Sequence, residues 1–321
     1  MTIEALVMGR VGADLYPNQS ETPLARARTF TRFAGGFAAN VATGLARLGV
    51  GTAIWSRVGA DGHGEMIRGF LAGEGVDVAG LGTDPAHRTP VVFCELWPPD
   101  RFPLLFYREP TAPDWELSAD DVDLAEVAAI PLLFASGTGL AREPSAELTL
   151  GALAAHRGTT VLDLDWRPDL WEGPSDFPGR IERAAASADV VVGNRAELAA
   201  ATGAEEPEEA VRRLRGLGPR LVVEKRGPGG AAAHSDAGSH EVPGIAREIV
   251  NGLGAGDAFD AALGYGLLRE LPIEETLDLA NAAGAIVAGG LACSEAMPTL
   301  DELRAFSPAG SPPADRISDG R

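Results

Sequence analysis

The sequence predicts an α/β fold built on a mostly parallel sheet, and three observations carry that expectation. Short β-branched runs alternate along the chain with longer stretches whose apolar residues recur at helical spacing. The composition is that of a folded soluble protein, 45% hydrophobic and 23% charged. The 321 residues suffice for a large core without disulfides. At roughly 150 residues per domain the length suggests two domains, and a single α/β domain of this size stays open.

Taken in order, the strands expected are Ala5–Met8 (ALVM), Thr52–Arg57 (TAIWSR), Pro131–Ala135 (PLLFA), Thr160–Leu164 (TVLDL), Val190–Val192 (VVV) and Arg220–Glu224 (RLVVE). The helices expected between and after them are Ala38–Leu48, Gly64–Glu74, Ser145–His156, Ala196–Thr202, Glu208–Gly216, Gly256–Glu270 and Ile273–Gly289. Thr89–Arg108 breaks the pattern. There PVVFCELW and FPLLFYRE flank the turn-forming PPDR, which reads as an antiparallel hairpin serving as a lid or an oligomer contact. The tail Ser307–Arg321, rich in Pro, Gly, Ser and Asp, is expected to be disordered.

Charge removes two partner classes. With 27 Lys+Arg against 46 Asp+Glu the net charge is −19, unfavourable for nucleic acid and for an anionic membrane surface. Cys94 and Cys293 make neither a disulfide framework nor a C-x-x-C site. No basic-then-apolar leader opens the chain and no apolar run reaches the ~20 residues of a spanning helix, so the expectation is a cytoplasmic protein. The five histidines form no H-E-x-x-H arrangement, which sets a metallohydrolase aside. Lys225 is the single lysine among 27 basic residues.

The sharpest local signal is VNGLGAGDAFDAALGYGLL at 250–268, a glycine-rich turn running into a helix. Amides at such a helix start converge on one point and the helix dipole adds positive potential. Gly254, Ala255 and Gly256 thus form an anion cradle, with Asp257 in the first turn as a base for a hydroxyl. The plainer alternative is a helix cap after a tight turn. No Lys-Ser/Thr follows the glycines, so this is not a Walker A loop, and Phe259 stands where the dinucleotide fingerprint needs glycine. Near the N-terminus, Gly35 and Gly36 precede a helix whose first turn holds Asn40, and Asp14 follows the first strand. All four suit a polyhydroxylated ligand, or else Asp14 caps a loop and Asn40 a helix start. Asn194 and Glu197 stand three apart at another helix start, as a capping box or as an acid organising Mg²⁺.

G-L-G-A-G-D-A-F at 252–259, G-G-x-x-x-N at 35–40 and N-x-x-E at 194–197, in this chain order, resemble the ribokinase-like (PfkB) carbohydrate kinases from about residue 3 to residue 300. The resemblance implies a Rossmann-type, three-layer kinase domain over 1–305, with β-lid segments near 11–34 and 89–110 and a tail from 306. It implies ATP and Mg²⁺, with a monovalent cation such as K⁺ near the anion hole in many members. It assigns Asp257 as catalytic base, with Gly254, Ala255 and Gly256 as anion hole. Asp14, Gly35, Gly36 and Asn40 become sugar contacts, and Asn194 and Glu197 the phosphate and Mg²⁺ motif. Lys225 and Gly227, in V-E-K-R-G-P-G-G, lie on the nucleotide side, and Asn281 on the helix walling the adenine. Lys225 as a solvated strand-end charge and Asn281 as a packing residue are the alternatives.

Further stretches, among them G-R-V-G-A-D-L-Y-P-N-Q at 9–19, P-P-D-R-F-P-L-L-F-Y-R-E at 98–109 and L-D-L-D-W-R-P at 162–168, resemble the branch of that family acting on keto-deoxy sugar acids. That branch implies phosphorylation of the 6-hydroxyl of 5-dehydro-2-deoxy-D-gluconate, in inositol catabolism, with 2-keto-3-deoxygluconate as the alternative acceptor. A sugar acid needs local cations, and Arg108 and Arg167 suit its carboxylate. Otherwise Arg108 is a solvated edge-strand charge and Arg167 pairs with Asp163 or Asp165. Many relatives carry Asn where this chain has Asp165. A catalytically silent sugar-binding regulator is the competing class, and a homodimer through the apolar lid hairpin is expected.

Overall fold

The fold is described from a computed structural model covering residues 2–173 and 175–306. The expected tail from Ser307 lies outside the described residues. The strands are β1 (Ala5–Met8), β2 (Gly12–Pro17), β3 (Phe30–Gly35), β4 (Thr52–Gly59), β5 (Leu81–Asp84), β6 (Val91–Cys94), β7 (Leu104–Tyr107), β8 (Leu132–Ser136), β9 (Thr159–Asp163), β10 (Val190–Asn194), β11 (Leu221–Lys225), β12 (Ala231–Ser235) and β13 (Gly238–Val242). The helices are α1 (Phe37–Arg47), α2 (Gly62–Gly73), α3 (Leu124–Val127), α4 (Ser145–Ala155), α5 (Asp176–Ala185), α6 (Arg195–Thr202), α7 (Pro207–Gly216), α8 (Ala255–Leu268), α9 (Ile273–Ala288) and α10 (Leu300–Ala305). Each strand and helix expected from the sequence is present, with its ends within two residues of the expected bounds.

Nine strands form the main sheet in the order β13-β12-β11-β10-β9-β8-β1-β4-β5, parallel from β11 to β5 and antiparallel at β12 and β13. Strand alternation sends successive side chains to opposite faces. Val7, Phe134, Val192 and Val223 join one buried core, against α1, α8 and α9, while Leu6, Leu133, Val191 and Val222 join the other. Both faces are covered, which is why these strands read as near-continuous apolar runs. The expected hairpin forms as β6 and β7, in a four-stranded sheet of order β3-β2-β6-β7. That smaller sheet closes over its own cluster, which includes Tyr16, Phe33, Val92, Cys94 and Cys293.

Several elements carry no strong sequence signal. β12 (AAAHS) and β13 (GSHEV) lack a β-branched run and pair at the sheet edge. In α5 the Pro178-Gly179 pair masks a helix, although a first-turn proline gives up a donor that has no intrahelical partner there.

One packing contact sets the site. A Cβ on Gly44 of α1 would lie 2.6 Å from that of Ala261 on α8, so the two helices meet backbone to side chain. About one turn towards the sheet's carboxyl ends from that crossing stand Asn40 and Asp257. Gly44→Val therefore forces α1 from α8, and its overpacking is expected to lower stability by about 1–3 kcal/mol, read as a fall in Tm. An unchanged Tm would show slack at the crossing.

Candidate active site

The turn before α8 is fixed by sterics. Gly254 adopts φ +80°, and a Cβ there would lie 2.7 Å from that of Cys293. The first intrahelical bond is Ala258 N–H to Gly254 O, 2.9 Å. The amides of Ala255, Gly256 and Asp257 therefore precede the ladder, at the positive end of a 14-residue helix. Beside them sits Lys225, whose Nζ would be 3.3 Å from a Cβ on Gly256. The ammonium donates to Asp163 at 2.5 Å and to Asp260 at 3.4 Å. Burial opposes its charge, but Asp163, Asp260 and Glu197 outweigh that and hold its pKa above the ordinary lysine value. Lys225 is thus a buried, neutralised cation and not a solvated strand-end charge.

Asp257 is pushed up to about 7, first by burial and then by Asp165, with the Asn40 hydrogen bond pulling the other way. That bond, Asn40 Nδ2 to Asp257 Oδ2, is 2.6 Å. Asn40 Oδ1 is buried with no protein partner among the described residues, an acceptor left for a ligand hydroxyl. Gly36, at φ +95°, caps α1, and a Cβ there would meet Arg10 O at 2.5 Å. A Cβ on Gly35 would collide with the Asp14 carboxylate. Asp14 itself is raised to about 6 by burial, against the pull of Arg10 and of the Tyr16 hydroxyl.

The arginines differ from expectation in part. Arg108 is not a solvated charge: it is 4% exposed, donates to Asp114 at 2.7 Å and stacks on Trp115 with 4.0 Å from Cζ to the ring centroid. Its Nε and Nη1 have no protein partner among the described residues. Arg167 meets Asp165 at 3.2 Å, one of the two pairings left open for it, and while burial opposes its charge, Asp165, Glu197, Asp257 and Asp163 support it. Arg10, which the sequence did not single out, is buried between these groups, 3.8 Å from Asp165 and over the Phe106 ring. Asp163 and Asp260 were missed as well, although a second acid three residues after Asp257 in an apolar helix was a visible signal.

On the other side of α8, Asn194 and Glu197 form the capping box: Glu197 N donates to Asn194 Oδ1 at 3.0 Å, and Asn194 N to Glu197 Oε2 at 2.8 Å. The box leaves Glu197 buried and raised to about 7, by desolvation and then by Asp163. A cleft of about 550 Å³ opens here, lined by Asn194, Arg195, Ala196, Lys225, Arg226, Gly227 and Gly229. Asn281 is not on that lining; its Nδ2 donates to Pro243 O at 2.7 Å. Among the described residues no three His, Cys, Asp or Glu side chains stand together to cage a metal ion. Among the described residues no helix is long and apolar enough to cross a membrane.

A half-buried carboxylate raised to about 7, free helix-start amides and a fixed ammonium around one point suit phosphoryl transfer to an alcohol. The sequence profile of the pfkB family carbohydrate kinases matches residues 3–300. The chain belongs to that family. This pfkB kinase is 34% identical over 310 residues, 94% of its length and 95% of the relative's, to a Shouchella clausii protein named 5-dehydro-2-deoxygluconokinase. It is also 34% identical over 313 residues, 95% of its length and 93% of the relative's, to a Geobacillus kaustophilus protein of the same name. Fructokinase from Vibrio cholerae O395, solved with fructose, ADP and calcium, superposes with a TM-score of 0.85 at 28% identity, covering 95% of this chain and 99% of that one.

The Asp257 shift has a sign that stability measurements read. A folded-state pKa of about 7 above an ordinary 3.8 means that the folded kinase holds this proton more tightly than the unfolded chain. Ionising Asp257 therefore costs stability progressively from about pH 4 to pH 7 and by a constant amount above. Asp257→Asn is expected to raise Tm over wild type by an amount that grows through this window and then levels off. A gain independent of pH would show that Asp257 ionises without cost.

Proposed function

We propose that this pfkB kinase transfers the γ-phosphoryl group of ATP, with Mg²⁺, to the 6-hydroxyl of 5-dehydro-2-deoxy-D-gluconate, a step of inositol catabolism. The observation that carries the reaction type is the half-buried Asp257, held by the Asn40 amide at 2.6 Å beside the open amides of α8. Near-full-length likeness to relatives named for this activity supports the acceptor.

Asp257 takes the 6-hydroxyl proton as that oxygen forms its bond to phosphorus, and the bond from phosphorus to the bridging oxygen breaks to leave ADP. The amides of Gly254, Ala255 and Gly256, with the Lys225 ammonium, stabilise charge on the moving phosphoryl group. Mg²⁺, when bound, supplies neutralisation of the phosphate oxygens. It keeps several waters and needs one or two carboxylates, which fits a buried Glu197 whose Oε2 is committed to the helix cap. Asn194 and the cleft through Lys225 and Gly227 suit the triphosphate, and Asn281 the adenine end of α9. Asp14 and the Asn40 Oδ1 suit sugar hydroxyls, and Gly35 and Gly36 let the backbone approach them. The carboxylate of the acid suits Arg10 together with the unpartnered Nε and Nη1 of Arg108, while Arg167 faces the transferring group.

ADP release with Mg·ATP across 5-dehydro-2-deoxygluconate, 2-keto-3-deoxygluconate, ribose and fructose tests this reading. The expected preference for the first is about a hundredfold in kcat/KM, with Asp257→Asn lowering kcat by about 10²–10⁴-fold while sugar binding persists. Preference for ribose or fructose would leave the arginines without a substrate carboxylate and overturn the acceptor. Sugar binding without turnover would favour a silent regulator.

The outer lid face supports a homodimer. Alternation on β7 turns Leu105 and Tyr107 outward, 47% and 60% exposed, and Phe93 packs edge-on to both Phe30 and Tyr107. Sedimentation at micromolar concentration is expected to give a dimer that Tyr107→Glu converts to monomer; a wild-type monomer would end the proposal.

A further inference from the structure

The loop carrying the anion-hole amides is held from behind by the segment that follows α9. Val250 and Asn251 both donate backbone N–H groups to Ala288 O, at 2.9 and 3.2 Å. The Asn251 side chain, 1% exposed, then ties the loop twice more: Nδ2 donates to Leu291 O at 2.7 Å, and Oδ1 accepts from Leu253 N at 3.0 Å. Gly254 follows directly, against Cys293.

A monovalent cation near the anion hole is implied by the family resemblance, and the donor set decides whether one fits. Such an ion is held by several oxygens whose lone pairs are free to replace its hydration shell. Here Ala288 O already accepts two N–H groups and Leu291 O accepts from Asn251. Cys293 O and Ser294 O accept from Ala296 N and Met297 N, each at 3.3 Å. Asn251 also turns a donor, not a lone pair, towards Leu291 O. These residues do not fit the ion.

We propose that Asn251 is a positioning residue whose neutral amide fastens the anion hole in place of a monovalent cation, so that turnover does not depend on K⁺. The amide is chemically suited because it offers a donor to one strand of the loop pair and an acceptor to the other. An aspartate of the same shape would face Leu291 O with lone pairs and a buried charge, a pair of oxygens that only a proton or a cation between them would reconcile. The activity readout of this inference rests on the kinase reading; its stability readout does not.

The test compares KCl with choline chloride at equal ionic strength, on the full chain, by ADP release and by Tm. Wild type is expected to turn over equally fast and to melt at the same temperature in both salts. Asn251→Asp is expected to lose about 10²-fold in kcat in choline, as the amides drift from the phosphoryl group. K⁺ should recover that loss and raise the variant's Tm by binding the folded state. Asn251→Ala, which leaves Leu291 O unpaired but adds no charge, should be slow in both salts. Wild type activated or stabilised by K⁺ would overturn the inference, as would Asn251→Asp being fully active in choline. If wild type is silent on every acceptor in both salts, the kinase reading falls, and the Tm comparison still decides the fastening.

Discussion

The buried pair between Lys225 and Asp163, 2.5 Å long, is the interaction on which the site depends. Five carboxylates, those of Asp163, Asp165, Glu197, Asp257 and Asp260, crowd the carboxyl ends of β9 and β10 and the start of α8 in a protein already carrying −19. Without a cation among them the cluster could not ionise in a dry interior, because desolvation and like-charge repulsion both favour the protonated forms. One compact ammonium lets Asp163 stay ionised, its pKa below the ordinary value: burial raises it, but Lys225 heads the effects that outweigh burial. The remaining strain falls on Asp260, which burial and then Asp163 hold well above its ordinary value, and on Asp257 and Glu197, both raised to about 7. The proposed general base, Asp257, is therefore tuned by the same charge balance that keeps the core folded.

The topology explains why these groups meet. Parallel strands deliver their carboxyl ends to one edge of the sheet, and ligand sites in open α/β sheets form there. Asp163 ends β9, Asn194 ends β10 and Lys225 ends β11, in adjacent strands with Asn194 opposite Lys225 in register. The anion hole comes from α8, across the sheet face, and Asn40 from α1. Close contact at Gly44 and Ala261 is what makes a hydrogen bond possible between residues 217 positions apart in the chain.

Much of this was legible in the sequence, and unevenly so. The β8 to β11 strands announced themselves because burial on both faces demands continuous apolar runs, and α8 because a glycine turn precedes its apolar periodicity. The edge strand β13 was silent because an exposed edge needs no such composition, and β12, paired on both sides, because its buried residues are alanines. At the site, glycines and the Asn194–Glu197 spacing were readable because backbone geometry restricts residue type. Arg10 and Asp163 were not, because long-range pairing of charges leaves no local pattern, whereas Asp260 left one in its spacing from Asp257. Arg108 was found for its charge, while its stacking on Trp115 and pairing with Asp114 depend on a loop that folds back from beyond the lid. The capping box is the reading of Asn194 and Glu197 that the hydrogen bonds bear out, and it occupies one carboxylate oxygen of Glu197.

The contact between Tyr16 and Cys293 ties lid to cradle: the hydroxyl on β2 lies 2.7 Å from the sulfur packed beneath Gly254. Burial holds that thiol well above its usual pKa, which keeps it in its unreactive protonated form. A thiol so covered meets an alkylating reagent only through local opening, so its labelling reads the integrity of the seam between the small sheet and the turn before α8.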